Sequence, residues 1–507
     1  MLMQHVVHSN IRLPFRLAGA LAFTFCFLLR PQGVLAELHI LPEGSHRLTK
    51  ANEPKVAIIG AGIGGSFTAF NLRKLLNESI ELHVFEGSKI GGRVQSFSYE
   101  DHVHEAGASI VFDKNYYVRD AADQMGLKRV PPSGSSEDLF SIYDGSRFVF
   151  QQSTWSIVTL WRMLQRYWLT YFTFSAPKQM LQKFLRLYDL QRQGMTFDTP
   201  EAFLKELQLY DLTQQSMHDY LQKSLGTSIT SRRFARELVA AVNKVNYNQD
   251  SGLNAFAGMV SMLPTVDNKL FQIEGGNVQL PKKILEYAHP HMTTANVTHI
   301  SRLPDGSYTI TSQHHDSTQT SGPFTAVVIA TPLELSSMQF DGVQLPHIPP
   351  RKFQSTVSTF VRGCLNGTYF GVNHPPKGAI MITEHAGTPF SAISPARAYA
   401  DKTHLFKLFS TDPMEEEVLS DIFSQHRVIA TFPWYAYPHF HPPEQYAPFR
   451  LADGLFYSNA LENAASCMEI SAISAMNSAL LVQKYLNKTS VPAVHASLAA
   501  HSDAVEL

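Results

Sequence analysis

The stretch Lys55-Val-Ala-Ile-Ile-Gly60-Ala61-Gly62-Ile-Gly64-Gly65 constrains this chain more than any other. A short apolar run rich in β-branched residues ends in Gly60-x-Gly62-x-x-Gly65. A helical pattern follows from Ser66 to Leu76, and a second apolar run, Leu82-His-Val-Phe-Glu86, closes on an acid. Strand, turn, helix and strand in that order form a dinucleotide-binding unit. Gly60 permits the tight turn, Gly62 lets the backbone approach a pyrophosphate, and Gly65 lets the helix pack on the strand. The pyrophosphate then rests on N–H groups at the helix start. Glu86 accepts the ribose hydroxyls.

The residues after Glu86 decide which dinucleotide. Gly91-Gly92-Arg93 follows at once. Nicotinamide dehydrogenases have no need of a glycine pair and an arginine there, whereas flavoproteins of the amine oxidase type do. The glycines let the chain pass the FAD phosphates, and Arg93 can meet them with a bidentate contact. A second small-residue segment, Ala106-Gly107-Ala108-Ser109, can pass close to the isoalloxazine. The expected fold is therefore α/β: a Rossmann-type FAD-binding domain, amine oxidase or glutathione reductase-like, intertwined with an α+β substrate domain. A chain of 507 residues is long enough for both. Its net charge of −1 offers no basic field for nucleic acid.

The N-terminus reads as a targeting segment. Arg12 and Arg16 precede an uncharged run from Leu17 to Leu29, and small residues end at Ala36. Residues 1–36 thus resemble a secretory signal peptide, with an uncleaved anchor as the alternative. Four N-glycosylation sequons then become relevant, at Asn77, Asn296, Asn366 and Asn487. Of three cysteines, Cys26 lies in the signal. Cys364 and Cys467 are expected as free thiols rather than a disulfide framework.

Residues 151–243 read as helical, and the segment Trp155 to Phe174 is dense in aromatics. Between Gly145 and Tyr188 there is no Asp or Glu. Such a basic, aromatic helix suits either a wall of the substrate domain or a peripheral contact with a membrane. Strands are expected over Thr293–Ile300, Tyr308–Thr311 and Ala326–Ala330. The first of these places a backbone group near Val297 at the adenine. The aromatic stretch Pro433 to Glu444 is extended, and its His439 and His441 have no Cys or carboxylate cluster nearby at metal-ligand spacing. After Leu455-Phe-Tyr-Ser458, a segment holding Glu462, Ala465 and Ser466 opens a long small-residue helix. A helix start aimed at the flavin would stabilise negative charge on it. The expected division gives 52–125, 270–335 and 450–488 to the FAD domain and 126–269 with 336–449 to the substrate domain, leaving 489–507 as a flexible tail.

The interior motifs resemble the prenylcysteine oxidase, or prenylcysteine lyase, family. They are Glu105-Ala-Gly, Val245-Asn-Tyr247-x-Gln249 with Asn254-Ala-Phe256, Ala330-Thr-Pro-Leu333, Ala436-Tyr-Pro-His439 with Pro442-Pro-Glu444, and Glu462-x-Ala-Ala-Ser466-x-Met-Glu469. Phe360-Val-Arg-Gly363 and Asn463 are most similar to its plant branch, farnesylcysteine lyase. One departure is Ala108, where the family has a second glycine. The resemblance implies an FAD-dependent thioether oxidase of the lysosome or vacuole that acts on farnesylcysteine or another prenylcysteine. Hydride leaves C1 of the prenyl group for the flavin, water adds, and free cysteine and a prenyl aldehyde separate. Oxygen accepts the electrons and becomes hydrogen peroxide. No catalytic base is assigned. Lys244 is a candidate for holding the substrate carboxylate. Two other readings are an FAD oxidase of amines or polyenes and a non-catalytic flavoprotein paralogue.

Overall fold

The computed structural model describes residues 53–132, 139–266, 269–315 and 317–502. The signal segment, with Cys26, lies outside them. Three chain segments far apart in sequence build a six-stranded sheet. At its centre Lys55–Ile59 is flanked in parallel by Glu81–Glu86 and Ala326–Ile329. His291–Thr294 adds to Glu81–Glu86, and Leu455–Tyr457 adds to Ala326–Ile329, both in parallel. Arg450–Ala452 closes the edge antiparallel. Val56, Ala57, Ile58 and all of Ala326–Ile329 are buried. Such unbroken apolar strands are what a parallel sheet covered on both faces demands. The glycine-rich helix Ile63–Leu76 packs between this sheet's turn and two further helices, Gln279–Ala288 and the long C-terminal Met468–Ser502.

The strand expected over Thr293–Ile300 is two strands. His291–Thr294 belongs to the parallel sheet, and Asn296–Arg302 starts an antiparallel one with Tyr308–His314, Ser317–Phe324 and Gln339–Asp341. The break falls at Ala295, whose N–H donates to the carbonyl of Glu86. That bond turns the chain at the tip of the second Rossmann strand.

A seven-stranded sheet forms the other half, with the long strands Phe353–Leu365 and Phe423–Pro438 paired along most of their length. His404–Ser410 lies on the other side of Phe353–Leu365. Two strands from far earlier, Phe140–Tyr143 and Phe148–Gln151, complete it. A layer of helices between Ser156 and Met262 covers it, including one π-helical turn, Phe234–Val239.

Candidate active site

The glycine turn has the geometry its sequence requires. Gly60 sits at φ +102°, and a Cβ there would meet Thr331 at 2.7 Å. Gly65 admits no side chain, since its Cβ would lie 1.8 Å from the carbonyl oxygen of Gly60. Gly62 carries no such crowding. Its Cβ position is 3.8 Å from the carbonyl oxygen of Gly91, so the space in front of the helix is open. The helix begins with no side-chain cap and no acid in its first turn, leaving its N–H groups to whatever binds there. Glu86 reaches back across the turn, accepting from the Ala61 N–H at 2.8 Å and the Ser88 N–H at 2.9 Å. Gly91 and Gly92 both have positive φ and run alongside Gly62.

Two buried hydroxyls, Thr331 Oγ1 and Ser458 Oγ, have no hydrogen-bond partner. Thr331 lies against Gly60 and Ser458 against Gly64. Unpaired buried hydroxyls around an uncapped helix start fit the phosphates of a dinucleotide such as FAD. Val297 follows two residues after Ala295, at the start of the strand Asn296–Arg302.

Arg93 differs from expectation. Its guanidinium pairs with the Glu462 carboxylate and donates to the Ala436 carbonyl at 3.0 Å. The charge it was expected to lend to the phosphates is already matched. Glu462 is buried, which pushes its carboxyl up, but Arg93 and Arg351 outweigh this and hold it below the usual range. Arg351, unforeseen from sequence, is buried and grips Glu334 bidentately at 2.9 and 3.0 Å. Ser466 also serves this network, donating to Glu462 at 3.1 Å, and Ala465 is packed in the core.

The second small-residue segment is held from both sides. Gly107 has no room for a Cβ, which would fall 2.1 Å from the carbonyl oxygen of Arg93. Ala106 is buried and its carbonyl accepts from Ser358 Oγ at 2.9 Å. Ala108 keeps a negative φ and packs its methyl on a cluster with Val94 and Val111. The departure from glycine is thus absorbed without backbone strain. Lys407 was not foreseen. It is half-buried by area, yet its ammonium is ringed by protein, donating to the Glu105 carbonyl at 2.8 Å and to Ser109 Oγ at 2.9 Å. Burial pushes it down to about 8. The neighbouring Glu105 carboxyl is pushed up to about 7 by burial, against hydrogen bonds from the Asn277 N–H and Ser96. The only sequence signal was a lysine inside the otherwise apolar strand Leu405-Phe-Lys-Leu-Phe409.

A cavity of about 560 Å³ opens at the ends of the seven-stranded sheet, lined in part by Lys244, Gln249, Asp250, Phe390, His439 and His441. One strand end joins it to the cradle. Ala436 takes Arg93, Tyr437 packs edge-on against Tyr247, and the Pro438 carbonyl accepts from Gln249 Nε2 at 2.9 Å. Lys244 donates to the carbonyls of Thr383 and Glu384 at 3.1 and 2.8 Å, and burial lowers its pKa. The rest of the motifs are structural. Glu444 accepts from Asn254 and from Asn463, tying three distant segments together. Glu469 caps another helix start, accepting from the N–H groups of Tyr117 and Val118 and from the Tyr188 hydroxyl.

Asn77, Asn296 and Asn487 are exposed, while the Asn366 amide is half-buried and donates to the Asp421 carbonyl. Cys364 and Cys467 are free thiols. The C-terminal helix extends to Ser502, beyond the Tyr485 expected from its pattern.

Residues 150–493 match the family profile described as prenylcysteine lyase, and residues 58–125 match that of an NAD(P)-binding Rossmann-like domain. The chain belongs to the prenylcysteine lyase family. It is 30% identical to prenylcysteine oxidase 1 of Rattus norvegicus over 480 residues, covering 89% of this chain and 93% of that protein. It is 32% identical to farnesylcysteine lyase of Arabidopsis thaliana, covering 86% and 89%. Among solved structures it is similar to cyclohexylamine oxidase of Brevibacterium oxydans, at TM-score 0.55 and 14% identity, covering 86% of this chain and all of that one. A fatty acid isomerase from P. acnes gives TM-score 0.56 at 16% identity, covering 85% and 98%. These two likenesses establish the fold, a Rossmann-type domain interleaved with a second one as in the amine oxidases.

Proposed function

We propose that this protein is an FAD-dependent oxidase that cleaves the thioether of a prenylcysteine, S-farnesylcysteine foremost. The observation that carries the reading is that the prenylcysteine lyase match spans 150–493, outside the glycine fingerprint that many unrelated proteins share. Overall, the thioether, oxygen and water become free cysteine, a prenyl aldehyde and hydrogen peroxide. Bound in the glycine cradle, FAD supplies a two-electron acceptor for the carbon beside the sulfur.

The protein's own part is to bind, orient and exclude water. Gly60, Gly62, Gly64 and Gly65 with Thr331 and Ser458 hold the phosphates, and Glu86 takes the ribose. Gly107 and Ala108 present backbone at the second approach. Tyr247, Tyr437 and Phe440 form an aromatic wall suited to an isoprenoid. Lys244 and Asp250, both on the cavity, suit the carboxylate and ammonium of the cysteine end. The cofactor half draws on 52–125, 270–335 and 450–488, and the substrate half on 126–269 and 336–449. Arg12, Arg16 and the run to Ala36 support entry into the secretory pathway, with the lysosome or vacuole as destination and the exposed sequons as glycan sites.

Peroxide release from the purified protein with S-farnesylcysteine tests this, with the visible spectrum recorded first. Yellow protein yielding peroxide, cysteine and farnesal in equal amounts is the expected outcome. Yellow protein inert on prenylcysteines but active on amines would replace the substrate and keep the fold.

A further inference from the structure

We infer that the helix Ser156–Tyr167, with the turns on either side of it, is an anchor that lays the protein onto an anionic phospholipid surface. Three of the four tryptophans of the chain lie on this segment, and all three face solvent. Trp155 is 71% exposed, Ile157 73%, Trp161 58% and Trp168 63%. Leu169 and Phe172 are exposed just beyond. Ile157, Trp161 and partly buried Leu164 recur at the spacing of one helical face, and Trp168 follows just past the helix end. An adjacent face is already buried, through Met163 and Tyr167, the latter packed on Phe150 and Phe234. The helix is therefore apolar on two sides, and the outer apolar stripe has no partner among the described residues.

An unpartnered stripe of this size marks an interaction surface. Its composition selects lipid. Tryptophan is the residue of the membrane interface, where an apolar ring carries one polar edge. The surrounding charge is positive. No Asp or Glu occurs between Gly145 and Tyr188. The short helix Ile229–Arg233 packs beside the stripe, presenting exposed Ile229, Arg232 and Arg233. Glu237, on the turn that follows, is paired with Arg166 at 2.5 and 2.7 Å. A rim of cations around exposed tryptophan matches anionic headgroups above acyl chains. Among the described residues no helix is long and apolar enough to cross a membrane, so the segment lies on the surface.

The test uses the full chain and vesicles of phosphatidylcholine with or without phosphatidylserine. The fourth tryptophan, Trp434, packs on Tyr437 far along the chain, so fluorescence reports chiefly on the stripe. Quenching by lipids brominated on the acyl chains is expected, stronger with phosphatidylserine present. The variant Ile157→Ser/Trp161→Ser/Trp168→Ser should lose vesicle binding by tenfold or more, at unchanged melting temperature and FAD content. Arg232→Glu/Arg233→Glu should weaken binding to the anionic vesicles by at least about fivefold for each cation removed and leave neutral vesicles little changed. Absence of quenching would overturn the inference even if the N-terminal segment alone carried the protein to the vesicle pellet. So would a wild type that forms dimers which the serine variant dissociates, since a second copy would then cover the stripe. Neither readout depends on turnover.

Discussion

Replacing Gly65 by alanine isolates the contact on which the cofactor half depends. The new Cβ would lie 1.8 Å from the Gly60 oxygen and 2.9 Å from its carbonyl carbon. Both neighbours are backbone, so no side-chain rotation relieves the clash. The glycine turn and the helix Ile63–Leu76 must separate by about an ångström or more, against a core that does not yield cheaply. Overpacking of this kind costs about 1–3 kcal/mol, and several degrees in melting temperature. The same separation moves the helix N–H groups away from the site they were to serve. Purified Gly65→Ala protein should therefore carry under about a tenth of the wild-type FAD, by absorbance, and melt several degrees lower. The neighbouring Gly64→Ala is the control for stability. Its Cβ would meet Ser458 and Ala330 at 3.6 and 3.7 Å, ordinary contacts. That variant should melt no lower than wild type, because alanine favours a helix by up to about 1 kcal/mol over glycine. A Gly65→Ala protein that stays yellow at the wild-type melting temperature would refute the argument.

Three other predictions concern buried charge. Glu105, Glu444 and Glu469 are each pushed up to about 7 by burial, so the folded state holds their protons more tightly than the unfolded chain does. Their stabilisation is complete below about 4.5 and is lost as pH rises through 7, while Lys407, pushed down to about 8, costs stability as pH falls from 10.5 through 8. Thermal unfolding should therefore give a higher melting temperature at pH 5 than at pH 7.5, and a flat or rising profile over that interval would contradict the assignment. Glu469→Leu leaves the N–H groups of Tyr117 and Val118 and the Tyr188 hydroxyl unpaired, and should cost roughly 3–5 kcal/mol in denaturant unfolding, against about 1 kcal/mol for Tyr188→Phe. Lys407→Met removes the donor that pins the Glu105 carbonyl and Ser109, so the FAD spectrum and its reduction potential should both shift while FAD remains bound. An unchanged spectrum and potential would show that this lysine only fills space.

What could be read in the sequence was local. The glycine turn, Glu86 and the two strands that flank the turn lie within some thirty residues, and backbone sterics leave few alternatives. Arg93 was legible as a charge near the cofactor but not as the partner of Glu462. That carboxylate lies hundreds of residues on, and only the packing of the C-terminal helix brings it in. Lys407 escaped because a strand's alternation does not announce which lysine is enclosed. The tryptophan segment was visible as a basic, aromatic-dense helix, yet such a helix serves equally as a wall of the substrate domain. Only the packing of Met163 and Tyr167 shows which side is already taken. Ala108 read as a departure from the resembled pattern, and its negative φ shows why the methyl is tolerated.

The order of strands in the parallel sheet also governs how the chain can come off the ribosome. Lys55–Ile59 is made early, but its neighbour Ala326–Ile329 emerges some 270 residues later, and Leu455–Tyr457 later still. The helix that covers the glycine turn begins at Met468. A nascent chain therefore holds half a nucleotide cradle, with an exposed apolar strand edge, for most of its synthesis. Closure must wait for Leu455–Tyr457 and the helix that follows, which makes the cofactor site a checkpoint on those late elements: a chain truncated ahead of Leu455 lacks part of the cradle, however intact its fingerprint.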